Sequence, residues 1–350
     1  LLECGAQATG GNFTDFSKVD NYVDVGFPIV EFDPSGTFVI TKQPRTGGLV
    51  SLQTVREQLL YEMGNPQVYI TPDVIADFTT MTLEAEGHDR VRVSGTRGFA
   101  PTDTLKVSVA IDAGYKCSGS LIISGPDARV KAEIFAKTFW TRLHSELERS
   151  SLTSFEGKTT EFIGDDATHR QLTPKHSPTE IMLRFAARDE DQSKLEMFRK
   201  LIPGLILSGP SGVAVTGGAP MISRVVRYWP SLVEQEHALP VVTMYSGCDQ
   251  VGEVSQLCWP TTQGSAEPAF ELKDPFPPAL LAGIGGEMIE APLMVLAHAR
   301  SGDKGDTANI GLIGRSPEVY VWLRENLTTC HMKEWFKDLV RGGLKRYLVP

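Results

Sequence analysis

Leu52, Val55, Leu59 and Leu60 recur at helical spacing between Ser51 and Met63. Ser51 is placed to cap the N-terminus of that helix, and Gly64-Asn65-Pro66 to stop it. Similar apolar stripes predict helices over 127–147, over 192–202 and through most of 318–340. A shorter helix over 1–8 ends on Thr9-Gly10-Gly11. Two β-rich runs, 27–32 and 37–41, flank Asp33-Pro34-Ser35-Gly36 and predict a hairpin. Further strands are expected at 67–71, 79–84, 90–94, 105–111, 120–124, 181–186, 292–300, 310–313 and 344–349. Several of those between 79 and 125 alternate apolar and polar residues, so one sheet face is covered and the other partly wet. Residues 149–178 are polar and patternless, the mark of a loop. Residues 244–290, rich in Gly, Pro and Ser, read as a long excursion or linker.

This order of elements predicts an α/β chain: a large mixed α/β domain over 1–285, then a small α+β domain over 290–350 with β-β-α-β order. At 350 residues the chain is long enough for two cores. It opens on Leu1 rather than Met and stops just after a strand-like run, so the pattern is expected to be incomplete at both chain ends. Hydrophobic residues make up 41% and charged residues 22%, an ordinary globular balance. A net charge of -9 without a Lys/Arg block speaks against a nucleic-acid partner. The longest apolar runs, such as 201–207, fall well short of the ~20 residues that span a bilayer. Five widely spaced cysteines without a CxxC pair fit neither a disulfide framework nor a structural zinc site. They point to a reducing compartment, cytoplasm or organellar matrix. The seven histidines form no HxH or HExxH pattern, so no metal is expected.

The densest chemistry lies in His298-Ala-Arg300-Ser-Gly302-Asp303-Lys304-Gly305-Asp306-Thr-Ala-Asn309, read as a loop between two strands. Gly302 and Gly305 can adopt positive φ and expose N–H groups. Arg300 and Lys304 can hold a phosphate or carboxylate, while Asp303, Asp306 and Asn309 can bind a hard cation or orient a polar substrate. A solvated Asp/Gly turn is the bland alternative. Thr-Gly-Gly occurs at 9–11, 46–48 and 216–218. Arg45 with Thr46-Gly47-Gly48 can cradle the phosphates of a coenzyme A thioester or nucleotide at the start of a helix, although a plain turn explains each copy about as well. Cys4 is a candidate nucleophile without a visible base, better read as a buried helix cysteine. Asp73 and Asp77, four apart, can share a helix face as an acid/base pair or simply favour a helix N-terminus. Asp112, Tyr115 and Lys116 follow a strand, a common site position.

Several of these segments together resemble the acyclic terpene utilisation protein A (AtuA) family. They are 1–13 (Leu-Leu-Glu-Cys-Gly-Ala-Gln-Ala-Thr-Gly-Gly-Asn-Phe), Thr46-Gly-Gly48 with Glu57-Gln-Leu-Leu-Tyr-Glu62, Tyr69-Ile-Thr-Pro-Asp-Val74 and His298-Ala-Arg-Ser-Gly-Asp-Lys-Gly-Asp306. The resemblance extends over nearly the whole chain. It implies a large mixed α/β domain followed by a small α+β ferredoxin-like domain that holds the 298–309 segment. It also implies a missing glycine-rich N-terminal portion and a missing end of the ferredoxin-like domain. In function it implies catabolism of acyclic terpenes and branched acids as coenzyme A thioesters.

The expected activity is therefore hydration, lyase or isomerase chemistry on an acyl-CoA or related carboxylate. Asp303, Lys304, Asp306 and Asp73 are the candidate catalytic residues, and Arg300, Asn309, Arg45, Thr46, Gly47 and Gly48 the candidate binding residues. The coenzyme A thioester is expected as substrate, no cofactor is specified, and the chain is expected to form a homo-oligomer. The alternative is a non-catalytic scaffold within an acyl-CoA-metabolising complex.

Overall fold

A computed structural model describes residues 1–238, 240–254, 276–281 and 289–349. The chain divides into two compact units. One comprises Leu1–Lys106, Leu232–Met332 and Gly343–Pro350; the other comprises Val107–Ser231 and Lys333–Gly342. Among the described residues no helix is long and apolar enough to cross a membrane.

In the first unit, Ile29–Phe32, Phe38–Thr41, Val91–Ser94 and Thr82–Ala85 form an antiparallel sheet in that spatial order. Helix α1 (Leu52–Leu60) starts where expected. Ser51 Oγ accepts the Thr54 N–H and Thr54 Oγ1 accepts the Ser51 N–H, a reciprocal cap. Val55 joins Ala8, Ile40, Val50, Val91 and Val93 in the apolar core. The unit also holds a three-stranded sheet of Tyr69–Ile70, Ile75–Asp77 and Arg97–Phe99, and a hairpin of Val242–Ser246 with Asp249–Val254. A second hairpin pairs Ala297–Lys304 with Thr307–Gly314.

The second unit is an antiparallel sheet in the order Val213–Thr216, Thr104–Ser124, Glu180–Asp189, Gly157–Ile163, with Ile222–Glu234 also pairing the long strand. Helices α2 (Ala128–Arg149) and α3 (Gln192–Ser208) bury an apolar face there, with Phe135, Phe139, Phe185 and Phe198 at its centre. The Phe139 and Phe185 rings stack at 4.3 Å.

Several expectations are corrected. The 1–8 segment is a turn with only a 3-10 helix at Gly5–Gln7, and Cys4 is exposed with φ 50° rather than buried in a helix. Residues 73–77 are not helical: Asp73 lies in a turn and Asp77 ends a strand, so the pair shares no helix face. Residues 105–111 and 120–124 belong to one 21-residue strand, so Asp112, Tyr115 and Lys116 sit inside a strand instead of a loop. The 149–178 loop contains the strand Gly157–Ile163. Helix α3 continues through Pro203, because Leu205 beyond it is fully buried in the phenylalanine core. The strand expected from 292 begins at Ala297, after a 3-10 turn. The expected 318–340 helix is two shorter ones, α4 (Pro317–Asn326) and α5 (Thr329–Trp335), and 344–349 forms no strand. Of the 244–290 excursion, residues 255–275 and 282–288, with Cys258, lie outside the described residues.

Candidate functional site

The segment 298–309 is not a loop. It forms most of a hairpin closed by the two-residue turn Gly305-Asp306, with Lys304 paired to Thr307 and Gly305 at φ +65°. Alternation along the strand sends His298, Arg300, Gly302 and Lys304 to one face, with Asn309 and Gly311 across from Gly302 and Arg300. That face lies on α1. Gly302 is needed for close approach rather than for positive φ: a Cβ there would stand 2.8 Å from the Glu62 backbone N. At Gly311 a Cβ would stand 2.6 Å from Leu60 Cβ.

At the centre is Glu57 of α1, with no solvent exposure. Its Oε2 accepts from Arg300 Nη2 at 2.7 Å, and both oxygens lie 3.3 Å from the Thr14 N–H. His298 Nδ1 lies 3.4 Å from Glu57 Oε1, close but not aligned as a hydrogen bond. The imidazole stacks on Phe13 at 5.6 Å. Its Nε2 is 3.3 Å from Arg315 Nη1. A guanidinium only donates, so Nε2 is the accepting nitrogen, and the neutral ring carries its proton on Nδ1, facing Glu57. Burial pushes the His298 pKa down and the Arg315 charge adds to this, outweighing the upward pull of Asp15 and Glu57. The 3.4 Å approach to Glu57 is therefore a neutral-imidazole contact at pH 7, not an ion pair.

Arg315 is itself held by Asp15 through both terminal nitrogens, and its Nε donates to Met294 O at 2.9 Å. The Arg315 contact, with Lys18 beside it, holds the Asp15 carboxyl well below its usual range. Thr14 closes the cluster: its Oγ1 accepts the Ala299 N–H at 3.0 Å and donates to Ala299 O at 3.1 Å. The two carboxylates are each met by a guanidinium, and Lys18 Nζ also donates to Asp15 Oδ2 at 2.8 Å. Three buried atoms here have no hydrogen-bond partner: His298 Nδ1, Arg300 Nε and Asn309 Oδ1. Asn309 Nδ2 donates to Leu60 O at 2.7 Å, which fixes Oδ1 as the orphaned atom.

Arg300 and Lys304 do not converge on one position, and neither is neutralised by Asp303 or Asp306. Arg300, 7% exposed, pairs with Glu57, while Lys304 pairs with Glu62 just beyond α1. Asp303 and Asp306 face solvent near the turn. Asp73 is exposed in the turn between the strands Tyr69–Ile70 and Ile75–Asp77, where its Oδ1 accepts from Thr71 Oγ1 at 2.8 Å.

The Thr46-Gly47-Gly48 turn has its donors engaged internally. The Gly47 N–H donates to Asp24 Oδ1 at 2.7 Å, that of Gly48 to Asp20 O at 3.0 Å, and that of Leu49 to Thr9 O at 2.8 Å. The Asp24 carboxylate thus occupies the place expected for a phosphate. Arg45 is exposed beside this turn with φ +67°. Among the described residues no hydrogen bond or ion pair joins Arg45 or Thr46–Gly48 to the hairpin.

Glu57, Asp15 and Arg315 were not among the sequence candidates, and His298 stood in the dense segment without an assigned role. One signal was readable: Glu57 falls on the side of α1 that buries Thr54, Val55 and Gln58, where a carboxylate needs a partner.

No curated protein and no solved structure matches the chain. The model of the acyclic terpene utilisation family protein AtuA matches residues 1–244, and that of the AtuA ferredoxin-like domain matches residues 291–347, which contain His298, Arg300 and Arg315. With Glu57 and Asp15 in the first match and their partners in the second, the chain belongs to the AtuA family of acyclic terpene utilisation.

Proposed function

We propose that the chain is an enzyme of acyclic terpene or branched-chain acyl-CoA catabolism, acting on an acyl-CoA or related carboxylate by hydration, lyase or isomerase chemistry at the Glu57–His298–Arg300 cluster. One observation carries this reading: a fully buried carboxylate faces a neutral imidazole whose Nδ1 nitrogen lies 3.4 Å away without a hydrogen-bond partner. Two groups poised to exchange a proton are what such reactions require. The orphaned Arg300 Nε and Asn309 Oδ1 supply one donor and one acceptor for a polar substrate end or a water. Lys304, Asp303 and Asp306 at the exposed turn meet the outer end of the ligand. Phosphate contact falls to the Arg45 side chain, because the N–H groups of Thr46–Gly48 are engaged. Asp73 has no part in this arrangement.

A second reading, a non-catalytic scaffold, draws on a specific feature: Arg300, Lys304 and Arg315 are each engaged by a carboxylate from residues 15–62. Such pairs fix a hairpin in place whether or not chemistry occurs there.

A thermal-shift screen with branched and linear acyl-CoA thioesters separates the two, since stabilisation grows with ligand occupancy. The enzyme reading expects a stabilising ligand, turnover that adds or removes water or moves a double bond, and loss of that turnover in Glu57→Gln with the ligand shift retained. No shift with any thioester rejects it.

A further inference from the structure

The connection between the strands Gly157–Ile163 and Glu180–Asp189, residues 164–179, lies wholly within the second unit. Gly164 leaves the first strand at φ +98°, a conformation that favours glycine. Local turns follow, with the Leu172 N–H donating to His169 O and the Thr173 N–H to Arg170 O. The first residues are held from the helix side. Arg129 of α2 donates to Asp165 and, at 3.1 Å, to Asp166, and its guanidinium lies 3.9 Å over the Phe162 ring. Across the loop the tie is His176. Its Nε2 lies 3.3 Å from Gly164 O, twelve residues back, and its Nδ1 lies 3.0 Å from Pro174 O.

Carbonyl oxygens only accept. A neutral imidazole carries one N–H and one lone pair, so it satisfies one of these carbonyls and turns its lone pair on the other. Both contacts are hydrogen bonds only when both nitrogens are protonated. A counter-charge stands beside the ring, with Asp165 Oδ1 4.0 Å from Nε2. Among the described residues no hydrogen bond or ion pair joins His169, Arg170, Lys175 or Glu180 to the ring, and Arg129 is taken up by Glu133, Asp165 and Asp166. We infer that His176 is an imidazolium clasp: doubly protonated, it ties residue 176 back to Gly164 and closes the loop, and loss of one proton opens it. The bond to Pro174 O is the shorter and the more local, so the neutral ring keeps that one and releases Gly164 O. The Pro174 and Gly164 carbonyls raise the His176 pKa above its usual 6.5, with a smaller upward pull from Asp165. The clasp is therefore closed below pH 6.5 and is lost as the pH rises through the folded value, the opposite sense to His298.

The test is amide exchange on the full chain at several pH values, corrected for the intrinsic rate, with the ring nitrogen resonances of His176 read in parallel. His176 is expected to carry both protons at about pH 5.5 and to titrate above its usual 6.5. Corrected exchange across residues 165–176 is expected to be severalfold faster at about pH 8 than at about pH 5.5, while α2 and the strand Glu180–Asp189 keep their protection. His176→Gln cannot titrate, so its loop is expected to exchange at the same corrected rate at both pH values. A loop in the unmodified chain whose corrected exchange does not change over this range overturns the inference. So does a pH response that persists in His176→Gln, or a His176 that titrates at or below 6.5.

Discussion

The buried ion pairs Lys194–Asp189 and Arg300–Glu57, one in each compact unit, are finished differently. In the second unit Lys194 Nζ donates to Asp189 Oδ2 at 2.9 Å, Thr153 Oγ1 at 2.9 Å and Ser154 O at 3.3 Å. Asp189 also accepts the N–H groups of Asp191 and Glu156. Its burial raises its pKa, and these hydrogen bonds together with Lys194 outweigh that and bring it down. The lysine's three donors are all engaged beside a core of four phenylalanines. In the first unit Arg300 and Glu57 are as deeply buried, yet Arg300 Nε and the adjacent His298 Nδ1 have no partner. A buried donor left unmade is destabilising, so the second arrangement is tolerated where something else uses the donor. The comparison teaches that burial and pairing do not tell the two pairs apart; the unfilled hydrogen-bonding capacity beside Arg300 does.

The largest effect comes from removing each cation. Lys194→Met and Arg300→Met each leave a buried carboxylate, a loss of about 3–5 kcal/mol. Asp189 retains two backbone donors, while Glu57 retains only the Thr14 N–H at 3.3 Å. Arg300→Met is therefore expected at the upper end and Lys194→Met at the lower, measured by urea unfolding with amide exchange to assign each unit. Adding Glu57→Leu to Arg300→Met should return most of the loss, because an apolar pair replaces the ionic one. Equal losses in the two units would dissolve the distinction.

A smaller effect separates the pairs by pH. The His298 pKa lies below its usual value of 6.5 in the folded chain. The unfolded state therefore binds the proton more readily, and the contribution of this group is complete above pH 6.5 and lost as the pH falls towards the folded value. Acidification below pH 6.5 should weaken protection of α1 and the 297–314 hairpin before Asp15, held below its usual range, titrates. The Lys194–Asp189 region should hold until Asp189 protonates, at a pH below 3.8. His298→Asn removes the first transition. If exchange at α1 shows the same pH response in that variant, the imidazole is not the sensor.

Much of the scaffold was legible from local rules. The α1 cap, the hairpin around Asp33–Gly36 and the amphipathic α2 follow from short-range pattern, and each stands within a few residues of its expected place. The site was legible only as a place. His298-Ala-Arg300 was singled out as dense chemistry, but its two-residue alternation is also a strand signal, and the run of Gly and Asp masked it. Its partners lie about 240 residues away in α1, and no local rule connects a helix glutamate to a strand arginine at that separation. The Thr46-Gly47-Gly48 turn shows the opposite limit: glycines free its N–H groups, but Asp24, far from it in sequence, fills them.

The smallest expected effect is at Lys304, and it divides the hairpin into a fixed part and an exposed part. Lys304 is 68% exposed, and its partner Glu62 is 15% exposed. Glu62 holds the Lys304 pKa up and is itself pulled down by it, but both shifts are screened by water. Lys304→Ala should leave the melting midpoint within experimental scatter. Close packing of Gly302 on Glu62 and of Gly311 on Leu60, together with Arg300, already fixes the hairpin. If the exposed turn meets the outer end of an anionic ligand, the same variant weakens binding of that ligand several-fold, and added salt weakens binding to the unmodified chain in parallel. A variant with unchanged stability and unchanged affinity confines the site to Glu57, His298 and Arg300. One with lowered stability shows that the Lys304–Glu62 pair, despite its exposure, helps to clamp the hairpin to α1.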